Sequence, residues 1–139
     1  MSEARPPEPL KLQGRKIYHG CVEGEALVAG QGLSFFGGVD PESGRVVERG
    51  HELEGLSVAG KVLVFPTGKG STVGSYTLYR LKHAGAAPLA IVNANCETII
   101  AVGCIIAEIP CVDQIELGKL KSGQILRVDG ARGTVEILT

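Results

Sequence analysis

The stretch Lys61-Val-Leu-Val-Phe-Pro-Thr-Gly-Lys-Gly-Ser-Thr-Val-Gly-Ser75 decides the fold of this chain. Its apolar run, residues 62–65, is typical of a buried strand. The Pro/Gly turn that follows lets the backbone reverse direction close to a ligand. Ser71 and Thr72 then stand where a helix N-cap is expected. A strand, a glycine turn and a helix start present free N–H groups, so this turn predicts a site that binds anions or stabilises an oxyanion.

The residues after the turn predict a βαβ unit. Apolar positions from Val73 to Leu81 favour an imperfect helix that ends at Gly85, and residues 87–93 favour a second strand. A right-handed crossover is expected for such a unit. The break after Asn93 then lies on the same side as the glycine turn, at the edge where α/β domains place ligands.

The rest of the chain predicts more strands. Residues 16–29 predict a bent strand or a hairpin, and residues 124–130 with 133–138 predict a terminal hairpin. Residues 98–108 are apolar and ambiguous between helix and strand, although Gly103 favours a break.

Length and charge exclude several classes of protein. A chain of 139 residues forms one domain, and its 14 basic and 15 acidic residues show no bias toward nucleic acids or membrane surfaces. No apolar run reaches membrane-spanning length. Residues 1–15 are polar and proline-rich, which predicts a disordered lead-in rather than a signal peptide. We therefore expect a single domain over residues 16–139 in a cytoplasmic protein.

The glycine-rich stretch at residues 30–44 supports two interpretations. Phe35 and Phe36 stand beside Gly37 and Gly38, so the stretch is either a loop that closes against a ligand or a turn pinned by aromatics. His51 lies among charged residues and is predicted to be a solvated surface histidine.

The cysteines do not predict a metal site in this chain. Cys21, Cys96, Cys104 and Cys111 form no Cys-x-x-Cys pair. Cys104 and Cys111 sit in apolar runs, where a thiol behaves as a small hydrophobe.

The central turn matches neither common catalytic motif. A P-loop would need glycine at position 63, which is Leu, and Ser or Thr at position 70, which is Gly. The hydrolase elbow Gly-x-Ser-x-Gly is also absent. Two interpretations stay equally open: Ser71 is a simple N-cap, or it is a serine whose alkoxide is stabilised by nearby N–H groups and Lys69, which would be half of an active site.

Four segments carry a resemblance to a known family: Leu33-Ser-Phe-Phe-Gly-Gly-Val-Asp40, Thr67-Gly-Lys-Gly-Ser-Thr-Val-Gly-Ser75, Ala86-Ala-Pro-Leu-Ala-Ile-Val92 and Ile109-Pro-Cys-Val112. They resemble the small subunit of the aconitase X family, in its archaeal branch, over nearly the whole chain after about Lys16. This resemblance implies an α/β fold, namely a swivelling β/β/α domain that is strand-rich, with a βαβ crossover and a terminal β-hairpin. It also implies a large-subunit partner that binds a [4Fe–4S] cluster.

The same resemblance implies site residues. The turn Gly68-Lys-Gly-Ser-Thr72 is similar to the Gly-x-Gly-Ser-Ser turn of aconitase swivel domains, whose first serine is the catalytic base. That role falls on Ser71. Those enzymes have an arginine after the two serines where this chain has Val73, so a tricarboxylate substrate is not expected. The expected substrate-binding residues are Ser34, Gly37, Gly38, Lys69, Gly70 and Thr72.

The function that the resemblance implies is that of a hydro-lyase subunit, active only with its large subunit. The expected reaction dehydrates (R)-mevalonate 5-phosphate to trans-anhydromevalonate 5-phosphate in the archaeal modified mevalonate pathway of isoprenoid biosynthesis. Ser71 would accept the proton from the carbon next to the carboxylate, and the cluster iron would act as Lewis acid on the departing hydroxyl.

Two alternatives remain at this point. The chain is also compatible with an aconitase X dehydratase of cis-3-hydroxy-L-proline, or with a non-catalytic swivel or binding module. Residues 120–135 resemble the end of swivelling phosphohistidine domains, but the Ser-His pair of those domains corresponds to Ser75-Tyr76 here. Phosphohistidine chemistry is therefore not expected.

Overall fold

The computed structural model describes residues 10–69 and 73–139. These described residues form one mixed sheet of eight strands, two α-helices and a short 3-10 helix at Leu117–Lys119. The strands are β1 (Leu10–Gln13), β2 (Arg15–Tyr18), β3 (Cys21–Val28), β4 (Val62–Phe65), β5 (Ala90–Asn93), β6 (Cys111–Asp113), β7 (Ile125–Asp129) and β8 (Thr134–Ile137). The helices are α1 (Gly74–His83) and α2 (Thr98–Ala107).

The sheet has a parallel half and an antiparallel half that share β3. Its strand order is β1-β8-β7-β3-β4-β5-β6-β2. The end of β3 pairs parallel with β4, while its beginning pairs antiparallel with β7. β1 and β2 occupy opposite edges, yet only Gly14 separates them in the chain, so the sheet has to curl until its edges approach. The Gly14 N–H donates to the Gly133 carbonyl at 2.8 Å, and this hydrogen bond holds the link between β1 and β2 against the turn that precedes β8.

Two hydrophobic clusters lie on the two faces of the curled sheet. Alternate residues of β4 point to opposite faces, so Leu63 and Phe65 enter the cluster under the helices while Val62 and Val64 enter the cluster inside the curl. All four are buried. A strand covered on both faces needs apolar side chains at every position, which is why the predicted strand reads as a continuous apolar run.

The predicted βαβ unit is confirmed. β4 and β5 pair in parallel and in register, and α1 connects them. The helix ends where the sequence predicts, with Ala84 as C-cap and Gly85 at φ +72°, a backbone conformation that L side chains rarely adopt. The predicted terminal hairpin is confirmed as β7 and β8, which pair antiparallel.

Gly103 does not break the apolar segment at residues 98–108. The segment is α2, and a Cβ atom at Gly103 would lie 2.5 Å from Leu78 Cδ1 and 3.2 Å from Ser75 Cα. Glycine therefore lets α2 pack directly on α1. The expected break is wrong because this close helix contact outweighs the roughly 1 kcal/mol by which glycine weakens a helix interior.

The N-cap prediction is also wrong. The N-cap of α1 is Val73, which makes no side-chain capping hydrogen bond. The helix begins only at Gly74, where a Cβ would approach Phe36 N at 3.7 Å and Phe35 Cβ at 3.8 Å. The glycine-rich loop thus packs against the first turn of α1, while Ser71 and Thr72 themselves lie outside the described residues.

Two predictions near the N-terminus need correction. Strand β1 lies inside the predicted disordered lead-in, because Leu10–Gln13 has the antiparallel edge of β8 to pair with. The ordered fold therefore reaches at least to Leu10, and residues 1–9 lie outside the described part of the chain. Residues 16–29 are not a hairpin: β2 pairs with β6, and β3 pairs with β4 and β7.

Neither helix in the described ranges has the length and apolar character that crossing a membrane requires.

Replacing Gly103 with Val should lower the free energy of unfolding by about 1–3 kcal/mol, because the new side chain overpacks the contact between the helices. Chemical denaturation followed by circular dichroism measures this change. Gly118→Val is the control, since a Cβ at Gly118 would meet no atom within 4 Å. The control should stay within about 0.5 kcal/mol of wild type. An equal loss in both variants would contradict the helix contact as the cause.

Candidate functional site

The candidate site lies at the carboxyl edge of β4 and β5, where the sequence places it. Phe65 and Asn93 end the two strands and lie opposite each other. The Pro66 carbonyl accepts the N–H groups of Ala94 and Asn95 at 3.1 and 3.0 Å. The loops that leave the two strands are therefore joined to each other, and both helices begin at this edge.

The predicted base lies outside the described residues. Gly70, Ser71 and Thr72 are not among them, so the three central residues of the predicted site have no described geometry. The structure does describe the residues on either side, Lys69 and Val73, and the contacts that hold these flanks follow.

Lys69 is held by two contacts with distant parts of the chain. Its N–H donates to the Leu33 carbonyl at 3.1 Å, and the Leu33 N–H donates to the Thr67 carbonyl at 3.2 Å. Its ammonium forms an ion pair with Glu48, with Nζ 2.7 Å from Oε2. The residues that lead into the turn are therefore bound to the loop that begins at Gly30. One of the two interpretations in the sequence analysis is that this loop closes against a ligand.

Glu48 lies at the candidate site through its contacts with Lys69 and Ser34, and the sequence analysis gave it no role. Besides the ion pair with Lys69, its Oε1 accepts the N–H of Ser34 at 3.4 Å. Burial of this carboxyl group acts to raise its pKa, but the hydrogen bonds from Lys69 and Ser34 and the nearby positive charge of Lys69 hold the pKa below its ordinary value. No local motif marks Glu48, because only the folding of residues 30–58 brings it to the edge of the sheet.

Three of the predicted substrate-binding residues, Ser34, Gly37 and Gly38, lie in one short loop. The Ser34 hydroxyl donates to the Phe36 carbonyl at 3.1 Å. Gly37 is exposed and has φ +82°, which favours glycine. A Cβ at Gly38 would clash with the Ser34 carbonyl, and the Gly38 carbonyl accepts the N–H groups of Val47 and Glu48 at 2.9 and 3.2 Å. Through Glu48, the structure links this loop to Lys69.

The loop also packs against the start of α1. Phe35 is buried, with its ring centroid 6.0 Å from that of Phe65 at the end of β4. Phe36 beside it is 52% exposed. One aromatic therefore pins the loop to the core, as the second interpretation of this stretch expected, while the other faces outward at the site.

His51 is buried, and the prediction of a solvated surface histidine is wrong. Its exposed fraction is 5%. Its Nδ1 accepts the Leu53 N–H at 3.0 Å, so Nε2 carries the proton that reaches the Gly32 carbonyl at 3.0 Å. The charged neighbours in the sequence indicated an exposed side chain, but Nε2 holds the glycine-rich loop through Gly32 while Nδ1 orders the turn at Leu53.

Asn93 and Asp113 order the neighbouring strand ends. The buried Asn93 amide donates to the Phe65 carbonyl at 2.9 Å, and its Oδ1 has no hydrogen-bond partner among the described residues. Asp113, also buried, receives Arg15 Nε and Nη2 at 2.9 and 2.8 Å and the Cys96 N–H at 2.9 Å. These contacts fix the loop between β5 and α2. The sequence analysis assigned neither residue a role.

The cysteines behave as the sequence predicts for apolar runs. Cys104 and Cys111 are buried, and no described cysteine is in a disulfide. A hydrogen bond with Cys111, together with burial, raises the pKa of the Cys96 thiol, and a hydrogen bond with Cys104 does the same for Cys111. Within residues 10–69 and 73–139, no three His, Cys, Asp or Glu side chains are arranged to hold a metal ion.

Comparisons with known proteins match nearly the whole described chain. The family model of the aconitase X swivel domain matches residues 11–137. The phosphomevalonate dehydratase small subunit of Methanosarcina acetivorans is 54% identical over 94% of this chain and 92% of the relative. The protein of that name from Thermococcus kodakarensis is also 54% identical, over 93% and 97% of the two chains. A crystal structure of aconitase X (holo-form) from the same species superposes with a TM-score of 0.92 at 54% identity, covering 94% of this chain and 99% of the other.

Glu48→Gln should make the fold less sensitive to acid. The folded-state pKa of Glu48 lies below its ordinary 4.5, so the ionised carboxylate stabilises the fold above that value. This contribution is lost as the pH falls through the folded-state pKa. The pair is partly exposed, so the contribution is under about 1 kcal/mol.

Thermal unfolding midpoints between about pH 6 and pH 3 test this prediction through the linkage of proton binding to folding. The wild-type midpoint should fall more steeply with acid than that of Glu48→Gln. Glu42→Gln is the control, because Glu42 is exposed and its carboxylate has no ion pair within the described ranges. Parallel curves for wild type and Glu48→Gln would contradict the prediction.

Proposed function

The chain belongs to the aconitase X swivel-domain family, and from that membership we propose that it is the small subunit of a phosphomevalonate dehydratase. The resemblance drawn from the sequence is thereby confirmed, together with the α/β swivel fold. The observation that carries the proposal is the agreement with relatives of that name over more than nine-tenths of both chains.

The reaction we propose is the dehydration of (R)-mevalonate 5-phosphate to trans-anhydromevalonate 5-phosphate. A proton leaves the carbon next to the carboxylate, the hydroxyl leaves the adjacent carbon, and a carbon–carbon double bond forms between them. The proton and the hydroxyl account for the water released. We assign the proton to the Ser71 oxygen.

The flanks of the turn support Ser71 in this role. Lys69 on one side is held by Leu33 and Glu48, and Gly74 on the other side begins α1. The first turn of α1 contains no acidic residue, so the positive end of its dipole is not opposed from within the helix. This end and the Lys69 ammonium both favour an alkoxide at the turn. We propose that the Gly70 and Thr72 N–H groups add to that stabilisation.

We propose that Ser34, Gly37, Gly38 and Lys69 form the wall of the site on this chain. The Lys69 side chain stays 52% exposed while it is paired with Glu48. An ammonium group has three N–H donors, and Glu48 is its one ion-pair partner among the described residues, so we propose that the other donors bind an anionic group of the substrate. In this arrangement Glu48 is a positioning residue, because it holds Lys69 and Ser34 and need not touch the substrate.

We further propose that the [4Fe–4S] cluster is bound by the large subunit. Iron–sulfur clusters need several cysteine ligands at one open position, whereas Cys104 and Cys111 are buried in the core and no three His, Cys, Asp or Glu side chains of the described residues are arranged to hold a metal ion. Bound to the partner, the cluster would supply a Lewis acid for the departing hydroxyl. The free cysteines also support the cytoplasm as the compartment, where thiols stay reduced.

Replacing Ser71 with Ala should abolish most of the dehydratase activity of the complex with the large subunit. Loss of a positioned base lowers kcat by about 100-fold or more. An anaerobic assay of the reconstituted complex on mevalonate 5-phosphate measures this. Ser57→Ala is the control, because among the described residues its hydroxyl contacts Ser43 and Ala59, neither of which belongs to the proposed site.

Full activity in Ser71→Ala would contradict the base assignment while leaving the family-based function in place. A complex that dehydrates cis-3-hydroxy-L-proline and not mevalonate 5-phosphate would overturn the substrate. If the large subunit alone is active and adding this chain does not change its activity, this chain is a non-catalytic binding module instead.

A further inference from the structure

The outer face of α2 is apolar although it is exposed. The helix Thr98–Ala107 has no charged side chain. Val102, Ile105 and Ile106 are 43%, 49% and 46% exposed. The open side of a surface helix ordinarily carries polar or charged residues. Three branched aliphatic side chains left open on a charge-free helix indicate a surface that another molecule covers.

Helix α1 continues this surface. Tyr76 and Tyr79 are 57% and 37% exposed, and their rings stack with centroids 6.0 Å apart. Tyr79 and Ile106 line the same groove between the two helices. We call the surface formed by these five side chains the helix face; they are Tyr76, Tyr79, Val102, Ile105 and Ile106.

The helix face runs up to the candidate site. Val73, the residue that follows the turn of Ser71, is 43% exposed. Phe36, whose N–H approaches the Gly74 position, is 52% exposed. Exposed apolar side chains therefore lie beside the turn and along the two helices, up to Tyr79 on α1 and Ile106 on α2. A chain that completes the site from outside would lie close to the helix face.

The charges around the helix face favour a different chain over a second copy of this one. The last turn of α1 carries Arg80, Lys82 and His83, and the acidic residues at the two helices are the caps of α2, Glu97 and Glu108. Lys82, His83 and Glu108 line the groove that Tyr79 and Ile106 share. A second copy would therefore meet these basic groups mainly with the same basic groups. A partner with an apolar centre and acidic side chains at its rim complements this surface.

We infer that the helix face is the docking surface for the large subunit of the proposed dehydratase. The inference rests on the proposed function, since that function supplies the partner. It adds to it the place of contact and the chemistry of the partner surface. Burial of the helix face would provide the affinity, and the same contact would bring the turn of Ser71 to the partner's half of the site.

Substitutions on the helix face test this inference through binding rather than activity. Ile105→Glu puts a charge into the apolar contact and should weaken binding of the purified large subunit at least about tenfold. Val102→Glu, one helical turn away, is a second variant with the same expectation. Leu10→Glu is the control, because Leu10 is 43% exposed but lies on β1 at the edge of the sheet. Anaerobic calorimetry gives the dissociation constants, and circular dichroism verifies the fold of each variant.

Wild-type affinity in both Ile105→Glu and Val102→Glu would overturn the inference, whatever the activity of the complexes. So would a homodimer of the wild-type chain, seen by light scattering, that Ile105→Glu dissociates without changing large-subunit binding. If the wild-type chain itself binds no large subunit, the proposed function fails and the inference fails with it. Ser71→Ala should bind like wild type, which separates loss of docking from loss of catalysis.

Discussion

The parallel, in-register pairing of β4 with β5 is the constraint on which the rest of the structure depends. Because Phe65 and Asn93 lie opposite each other, both connecting loops leave the sheet at one edge and both helices begin there. Both helices then return over the same hydrophobic cluster and meet at Gly103. A shift of the register by one residue would place the smaller Val62 and Val64 where Leu63 and Phe65 now pack, so the side-chain volumes of the core favour this alignment. Packing of the core thus places the ends of β4 and β5, and with them the candidate site, at one edge of the sheet.

A second layer of contacts is needed because strand ends alone do not shape a site. The long segment at residues 30–58 crosses back to the edge of the sheet, where Leu33 exchanges backbone hydrogen bonds with Thr67 and Lys69, and Glu48 pairs with Lys69. Within the segment, Glu48 binds Ser34 and His51 binds Gly32, which holds its two halves together. Each contact joins residues far apart in the chain. The flanks of the turn are therefore positioned by this chain before any partner is present.

Local signals account for what the sequence predicts correctly. The apolar run of β4, the left-handed Gly85 at the end of α1 and the turn between β7 and β8 are all encoded within a few residues. Long-range contacts account for the failures: Gly103 stays helical because of Leu78, and His51 is buried because residues 30–58 fold over it. Glu48 carries no local signal at all. For Ser71 the local residues favour a cap and a base equally, and only the family resemblance favours the base, since a serine without a neighbouring histidine has no distinguishing pattern.

In the proposed dehydratase, a site divided between two chains sets different demands on the two surfaces of this domain. The polar edge must hold its groups in a defined geometry, and it does so with directional contacts such as the ion pair of Lys69 with Glu48. The helix face needs no direction, since hydrophobic burial depends on area and excludes water regardless of orientation. Closing the apolar surface beside the turn would also lower the local dielectric constant, which strengthens the interaction of an alkoxide with the N–H groups around it. Docking and catalysis are then coupled by solvent exclusion, because the same contact that joins the chains would dry the site.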